Sequence, residues 1–196
     1  GTEGLSGIPS SVGGAVRINA GAYGAEIFDL LEEVTLVSRA GALRVVPAAS
    51  IPHGYRWSAL CDGDDVVASA TLRLRPATRE EVDARLAAVR ERRKKALPTE
   101  PNAGSVFKNP PGDHAGRLLE ACGLKGARVG GAVVSERHAN VIVNAGGATA
   151  ADVRALMARM REEVRDRLGV DLVPEVEDLG LSVTNRNGAA SVESGR

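Results

Sequence analysis

"NVIVNAGGATAADVRALMARMREEVRDRLG" occupies residues 140–169, and its reading decides the fold class. Its first five residues, rich in β-branched side chains, read as a strand. Thr149 then stands where a helix N-cap belongs. From there Val153, Leu156, Met160, Val164 and Leu168 recur at three- and four-residue intervals, the buried stripe of an amphipathic helix, and Gly169 stops it. The methionines fill the core on this stripe rather than marking a redox site. Working outward, "AGRLLEACG" (115–123) is a short helix closed by Gly123, and "VDLVPEVED" (170–178) reads as a final strand. The tail from Ser182 is polar and built of small residues, the composition of a disordered segment.

Toward the N-terminus, "REEVDARLAAVRERRKKA" (79–96) has helical period, a cap at Thr78 and a stop before Pro98, and is expected to lead into the second domain. Residues 33–75 read as a β-rich layer: "EVTLVS", "ALRVVP" and "DVVASATLRLR" cluster β-branched residues between turns. Residues 1–30 carry glycines too frequent for a helix, yet Ile8, Val12, Val16, Ile18 and Tyr23 are too apolar for a linker, so a folded loop region is expected. The fold class is α+β. The expected divisions are 1–78, 79–181 and a disordered 182–196.

Lys plus Arg equals Asp plus Glu at 25 each, so the net charge is zero. No basic stripe with interleaved aromatics appears, which argues against a nucleic-acid partner. Apolar runs fall far short of the ~20 residues of a membrane span, and a signal-peptide pattern is lacking; the expectation is a cytoplasmic protein without a membrane partner. Cys61, Cys122, His53, His114 and His138 are scattered, so neither a disulfide framework nor a metal site is expected.

"PNAGSVFKNPPG" (101–112) puts Ser105, Lys108 and Asn109 on a stretch that glycine and proline bar from a regular helix. Ser105 and Lys108 form S-x-x-K, the nucleophile pattern of penicillin-binding proteins, but that pattern needs a continuing helix and the Asn109-Pro110 step denies it. The glycine-rich N-terminus is open between a phosphate cradle and tight structural turns. Arg56, in "HGYRWS", suits a carboxylate or phosphate, or is an ordinary surface arginine. Glu175 is either buried beside Val173 with a raised pKa, or solvated on an edge strand.

"GIPSSVGGAVRINAGAYG", "YRWS", "NAGSVFKNP", "GLKGARVGGAVVSERHANVIVN", "GGATAADV" and "LVPEVE" together, in this order, resemble the UDP-N-acetylenolpyruvoylglucosamine reductase (MurB) family up to about residue 180. The resemblance implies a cytoplasmic flavoenzyme of peptidoglycan synthesis and cell-wall biogenesis. In it NADPH reduces bound FAD, and the reduced flavin converts the enolpyruvyl group of the nucleotide-sugar substrate to a lactyl ether, giving UDP-N-acetylmuramate. The implied architecture is part of a two-lobed FAD-binding domain of the PCMH/vanillyl-alcohol-oxidase-like kind, followed by an α/β substrate-binding C-terminal domain.

Carried over by position, Ser105 resembles the family's general acid, and Arg56 and Glu175 the pair that stabilises the enolic intermediate. Asn109, Lys125 and His138 resemble substrate contacts, with Lys125 suited to a phosphate. Gly7, Ile8, Pro9, Ser10, Ser11, Gly13, Gly14, Ala15, Asn19, Gly21, Ala22 and Gly24 fall in the flavin-contacting segment, where Ser10 replaces a glycine of many members. The family also carries an N-terminal lobe with a second glycine-rich loop for the FAD pyrophosphate. The chain begins after it, so a fragment or split enzyme of the shorter subtype is expected, with the lobe as a potential partner. The competing expectation is a non-catalytic nucleotide-binding module. Retention of Arg56, Ser105 and Glu175 together favours the reductase.

Overall fold

The computed structural model describes residues 1–178, and the tail expected to be disordered lies outside them. The chain divides into two compact units, Gly1–Leu97 and a second from Pro98 onward. The mixed α+β class holds in each.

The first unit contains α1 (Val12–Arg17), β1 (Gly21–Ala22), β2 (Ala25–Glu26), β3 (Leu31–Val37), β4 (Leu43–Pro47), β5 (His53–Gly54), β6 (Trp57–Ser58), β7 (Val66–Leu72) and α2 (Arg79–Ala96). β3 is the centre of an antiparallel sheet ordered β4-β3-β7. It buries Leu31, Val34 and Leu36 against Val16, Ile27, Phe28 and Ile51. The loop region expected over residues 1–30 contains a helix after all. Ser11 caps it by accepting from Gly14 N at 3.1 Å, and Gly13 lets it approach β7, where an added Cβ would stand 3.1 Å from the Val67 carbonyl oxygen. Packing onto the sheet here outweighs the poor helix propensity of two glycines.

α2 keeps its expected limits through a capping box: Glu81 N donates to Thr78 Oγ1 and Thr78 N to the Glu81 carboxylate. It does not open the second domain. Arg93 donates to Gly7 O at 2.8 Å and Arg85 pairs with Glu3, so these contacts move the expected 78/79 boundary to Leu97/Pro98.

The second unit contains β8 (Asn102–Ser105), α3 (Ala115–Ala121), β9 (Arg128–Val129), β10 (Ala132–Val134), β11 (Val141–Asn144) and α4 (Ala150–Leu168). The sheet is antiparallel in the order β8-β11-β10-β9. Leu118 and Leu119 of α3 and Leu156, Met160 and Val164 of α4 share its core with Phe107, Val134, Ile142 and Leu172. Thr149 caps α4 by the same reciprocal device with Asp152. Leu168, expected in the stripe, is 43% exposed, because Gly169 turns left-handed (φ 69°) one residue later.

The final strand expected over 170–178 is instead a single bridge, Phe107 with Pro174. Proline offers no N–H to continue a ladder. The flanking bonds, Lys108 N to Val173 O and Glu175 N to Val106 O, are both 2.8 Å.

The turn before α4 lies against Gly131. A Cβ there would stand 2.4 Å from Ala148 N and 2.5 Å from Gly146 O, both backbone atoms that cannot step aside. Gly131→Ala is therefore expected to destabilise the second unit by about 1–3 kcal/mol, the range of overpacked sites. Urea denaturation followed by far-UV ellipticity measures it, and a loss below ~0.5 kcal/mol, the scale of an ordinary surface change, would overturn the close-approach account.

Candidate active-site cleft in the second unit

Ser105 ends β8, opposite Val141. Just before it, Asn102 Oδ1 accepts from Gly104 N at 2.9 Å, and Gly104 takes φ 78°, which glycine adopts without strain. Just after it, the chain is fastened. Val106 N donates to Asn140 O at 2.9 Å. The Asn140 carboxamide, 3% exposed, donates to Phe107 O at 2.8 Å and accepts from Phe107 N at 3.0 Å. On the far side the 173–176 segment is hydrogen-bonded to Val106 and Lys108, so Glu175 sits beside the residue that follows Ser105.

Ser105 opens on a polar cleft of about 360 Å³, also lined by Asn109, His114, Gly116, Arg117, Glu120, Arg137, His138, Ala139 and Asn140. Asn109 reaches it while its Oδ1 accepts from Ala115 N at 3.0 Å, at the start of α3. His138 lies on the turn between β10 and β11, against Gly116, where a Cβ would stand 3.1 Å from its ring. Its Nδ1 accepts from Asn140 N at 3.2 Å, which places the neutral ring's proton on Nε2. Burial, then the Lys125 cation, push the His138 pKa below 6.5, against an opposing pull from the Glu120 carboxylate. Lys125 itself donates to Glu120 Oε1 at 2.6 Å. Arg117 forks onto Asp113 and holds that carboxyl down at about 2. Another cleft, apolar and about 280 Å³, is lined by Gly104, Ile142, Val153, Met157 and Val176, so consecutive residues of β8, Gly104 and Ser105, line different clefts.

The second unit thus gathers Ser105, Asn109 and His138 in one cleft, brings Lys125 to Glu120 at its wall, and ties the Glu175 backbone to Val106. The alternation argument for Glu175 does not apply, since its segment is not a strand; Glu175 is half-buried and Val173 57% exposed. Arg56 belongs to the first unit, in the two-residue turn between β5 and β6, at φ 53°. Its guanidinium donates to Gly21 O and lies 4.9 Å from the Tyr55 ring centroid. Of the expected flavin-contacting residues, Gly7, Pro9, Ser10, Ser11 and Gly24 are exposed, and Ile8, Gly13, Gly14, Ala15 and Ala22 partly so. Gly21 and Asn19 are buried. Asn19 uses its carboxamide internally, donating to Glu26 at 2.7 Å and Gly54 O at 3.0 Å and accepting from Phe28 N at 3.3 Å.

Sequence reasoning missed Asn140, Glu120 and Arg137. Asn140 carried a signal, a polar residue immediately before an apolar strand, but a turn asparagine looks the same. Among the described residues no group of three His, Cys, Asp or Glu side chains could hold a metal, and no helix is long and apolar enough to cross a membrane.

Residues 96–179 match the family model of the UDP-N-acetylenolpyruvoylglucosamine reductase C-terminal domain. The chain is 49% identical over 181 residues to the UDP-N-acetylenolpyruvoylglucosamine reductase of Alkalilimnicola ehrlichii and 46% identical to that of Geobacter metallireducens, covering 92% of this chain and 60% of each relative. The crystal structure of UDP-N-acetylenolpyruvylglucosamine reductase (MurB) from Thermus caldophilus is similar with a TM-score of 0.80 and 44% identity, over 90% of this chain and 63% of that one. The family resemblance carried by the motifs is borne out. The chain spans about 60% of the length of these curated relatives.

Two outcomes follow from the cleft. Asn140→Ala removes both side-chain bonds to Phe107, and with buried backbone groups left unpaired at ~1–3 kcal/mol each, amide exchange at Phe107 should accelerate at least ~10-fold while α4 keeps its protection; unchanged exchange would show the clamp to be idle. The His138 titration, followed by NMR, should have its midpoint below 6.5. A native pKa below the unfolded one means that the unfolded chain takes up the proton first, so this group's contribution to stability is intact above pH 6.5 and falls as the pH drops toward the native midpoint. Lys125→Met should raise the midpoint, and a fall would contradict the assigned cause.

Proposed function

We propose, from the membership of residues 96–179 in the UDP-N-acetylenolpyruvoylglucosamine reductase C-terminal domain family, that the chain supplies the proton-donating and substrate-holding part of such a reductase, acting in peptidoglycan precursor synthesis with NADPH, FAD and UDP-N-acetylglucosamine enolpyruvate. The observation that carries this reading is the clamped Ser105. Its hydroxyl stands at the edge of a polar cleft, on backbone held by Asn140 on one side and by the Glu175 segment on the other. A general acid must be held at a fixed distance from the atom it protonates, and a strand end pinned on both sides does that.

In this reading the cleft takes the substrate's polar groups. Neutral His138 offers Nε2–H as a donor, Asn109 contributes its carboxamide, and Lys125 faces a phosphate as a point charge. Ser105 gives its proton to the substrate carbon and Glu175 holds the enolic oxygen.

The exposed residues of the Gly7–Gly24 segment fit a flavin in part. Gly24 has open space where a Cβ would stand, and Pro9, Ser10 and Ser11 are exposed, whereas Gly7 lies against Arg93, whose Nε would stand 2.9 Å from an added Cβ, and Gly13 and Gly21 are explained by packing. FAD, when bound, supplies the hydride. The competing reading, a non-catalytic nucleotide-sugar module, has no specific use for a pinned hydroxyl.

The test is Ser105→Ala in a polypeptide completed to the length of its relatives. Stopped-flow absorbance should show flavin reduction by NADPH unchanged and reoxidation by the enolpyruvyl substrate slowed by ~10²–10⁴, the loss expected when positioned acid catalysis is removed. Ser105→Cys should recover part of it. Equal slowing of both half-reactions would make the loop merely structural, and unslowed reoxidation would remove Ser105 from the chemistry.

A further inference from the structure

One wall of the Ser105 cleft carries an ion pair that substrate positioning does not explain. Lys125 follows the turn after α3, and its ammonium is held at 2.6 Å by Glu120, on the last full turn of that helix. Glu120 lines the cleft, and its side chain is 59% exposed; that of Lys125 is 28% exposed. Both charges are felt by the His138 ring, Lys125 lowering its pKa and Glu120 raising it, so both act at the cleft and not on a distant surface. The neighbouring guanidinium of Arg117 is engaged differently, by a forked pair to Asp113.

A partly exposed ion pair such as Glu120–Lys125 contributes little to stability, so breaking it costs little. A compact ammonium also exchanges one oxyanion partner for another without the planar matching that fixes an arginine fork. We propose that Glu120 is an internal stand-in for the ligand's diphosphate: its carboxylate occupies Lys125 in the empty cleft, positions the ammonium, and must yield it when a phosphate enters. Glu120 thereby sets the affinity and the charge selectivity of the cleft. A phosphate oxygen arriving at Lys125 must first displace the carboxylate from the ammonium, a competition that weakens mono- and dianions alike and favours ligands that bring further contacts, such as a nucleoside-diphosphate sugar. The inference rests on the nucleotide-sugar reading only for the identity of that ligand; the exchange at Lys125 requires an oxyanion alone.

Calorimetric titration of the chain with inorganic pyrophosphate and, separately, with UDP tests it, using the wild type, Glu120→Gln, Lys125→Met and the double variant. Both side chains are at the surface, and far-UV ellipticity checks that each variant is folded. Glu120→Gln should tighten pyrophosphate binding ~3- to 10-fold at low salt, the size of one unit charge removed at contact distance in a solvated site, and the gain should shrink with added salt. Lys125→Met should weaken binding, and the double variant should bind no more tightly than Lys125→Met, because the carboxylate acts through the lysine. A gain from Glu120→Gln that survives in the double variant would reduce Glu120 to general repulsion and overturn the exchange. No tightening in Glu120→Gln, or no pyrophosphate binding in any variant, would overturn it as well. Lysine-dependent tightening for pyrophosphate with no UDP binding would uphold the exchange while removing the nucleotide-sugar reading.

Discussion

The carboxamide of Asn140 is buried, and the backbone of Phe107 satisfies it on both sides. A buried amide deprived of partners costs roughly 1–3 kcal/mol, so Asn140 and Phe107 cannot separate cheaply. Much of the second unit follows from that constraint. Phe107 is directed into the core, and Val106 presents its carbonyl outward to Glu175 N. Ser105 is held at the last paired position of β8. The backbone N–H of Asn140 donates to His138 Nδ1, which settles the tautomer of the ring on the cleft's other side. One residue, through its side chain and its backbone N–H, therefore couples the positions of a hydroxyl, a carboxylate segment and an imidazole.

The first unit uses the same device in another place. Asn19, with no exposed surface, ties together Glu26, Phe28 and Gly54, and Gly54 opens the turn that carries Arg56. Ser58 Oγ, on the other side of that turn, donates to Arg17 O at 2.6 Å. In each unit a buried asparagine converts a polar turn into a fixed platform, where apolar packing alone would leave a short hairpin marginal.

The elements most legible in the sequence were those whose local signals agree. α2 and α4 start at threonine caps and stop at Pro98 and Gly169, and each limit was readable. The illegible elements depend on partners distant in sequence. α1 is a helix because Gly13 fits against Val67, some fifty residues away, and no window around Gly13 contains that fact. The 170–178 segment has a strand's composition, but Pro174 limits it to one bridge. Ser105, Asn109 and His138 were found through motif resemblance and share a cleft, whereas Asn140 and Glu120 look like an ordinary turn residue and an ordinary exposed helix residue until their contacts are seen.

Arg56 occupies a left-handed backbone conformation that disfavours any residue with a Cβ by roughly 1–2 kcal/mol and suits glycine well. Substitution toward glycine at this codon would relieve the turn and delete the guanidinium in one step. Under the role proposed for Arg56, selection for foldability and selection for the side chain pull in opposite directions here, more sharply than under the role proposed for Ser105, whose backbone is ordinary strand. A lineage that no longer needed the guanidinium would be expected to drift to glycine or asparagine at this position early, before its core eroded. Under that proposed role, the residue found at position 56 is a compact indicator of whether a sequence of this kind is still under selection for its chemistry.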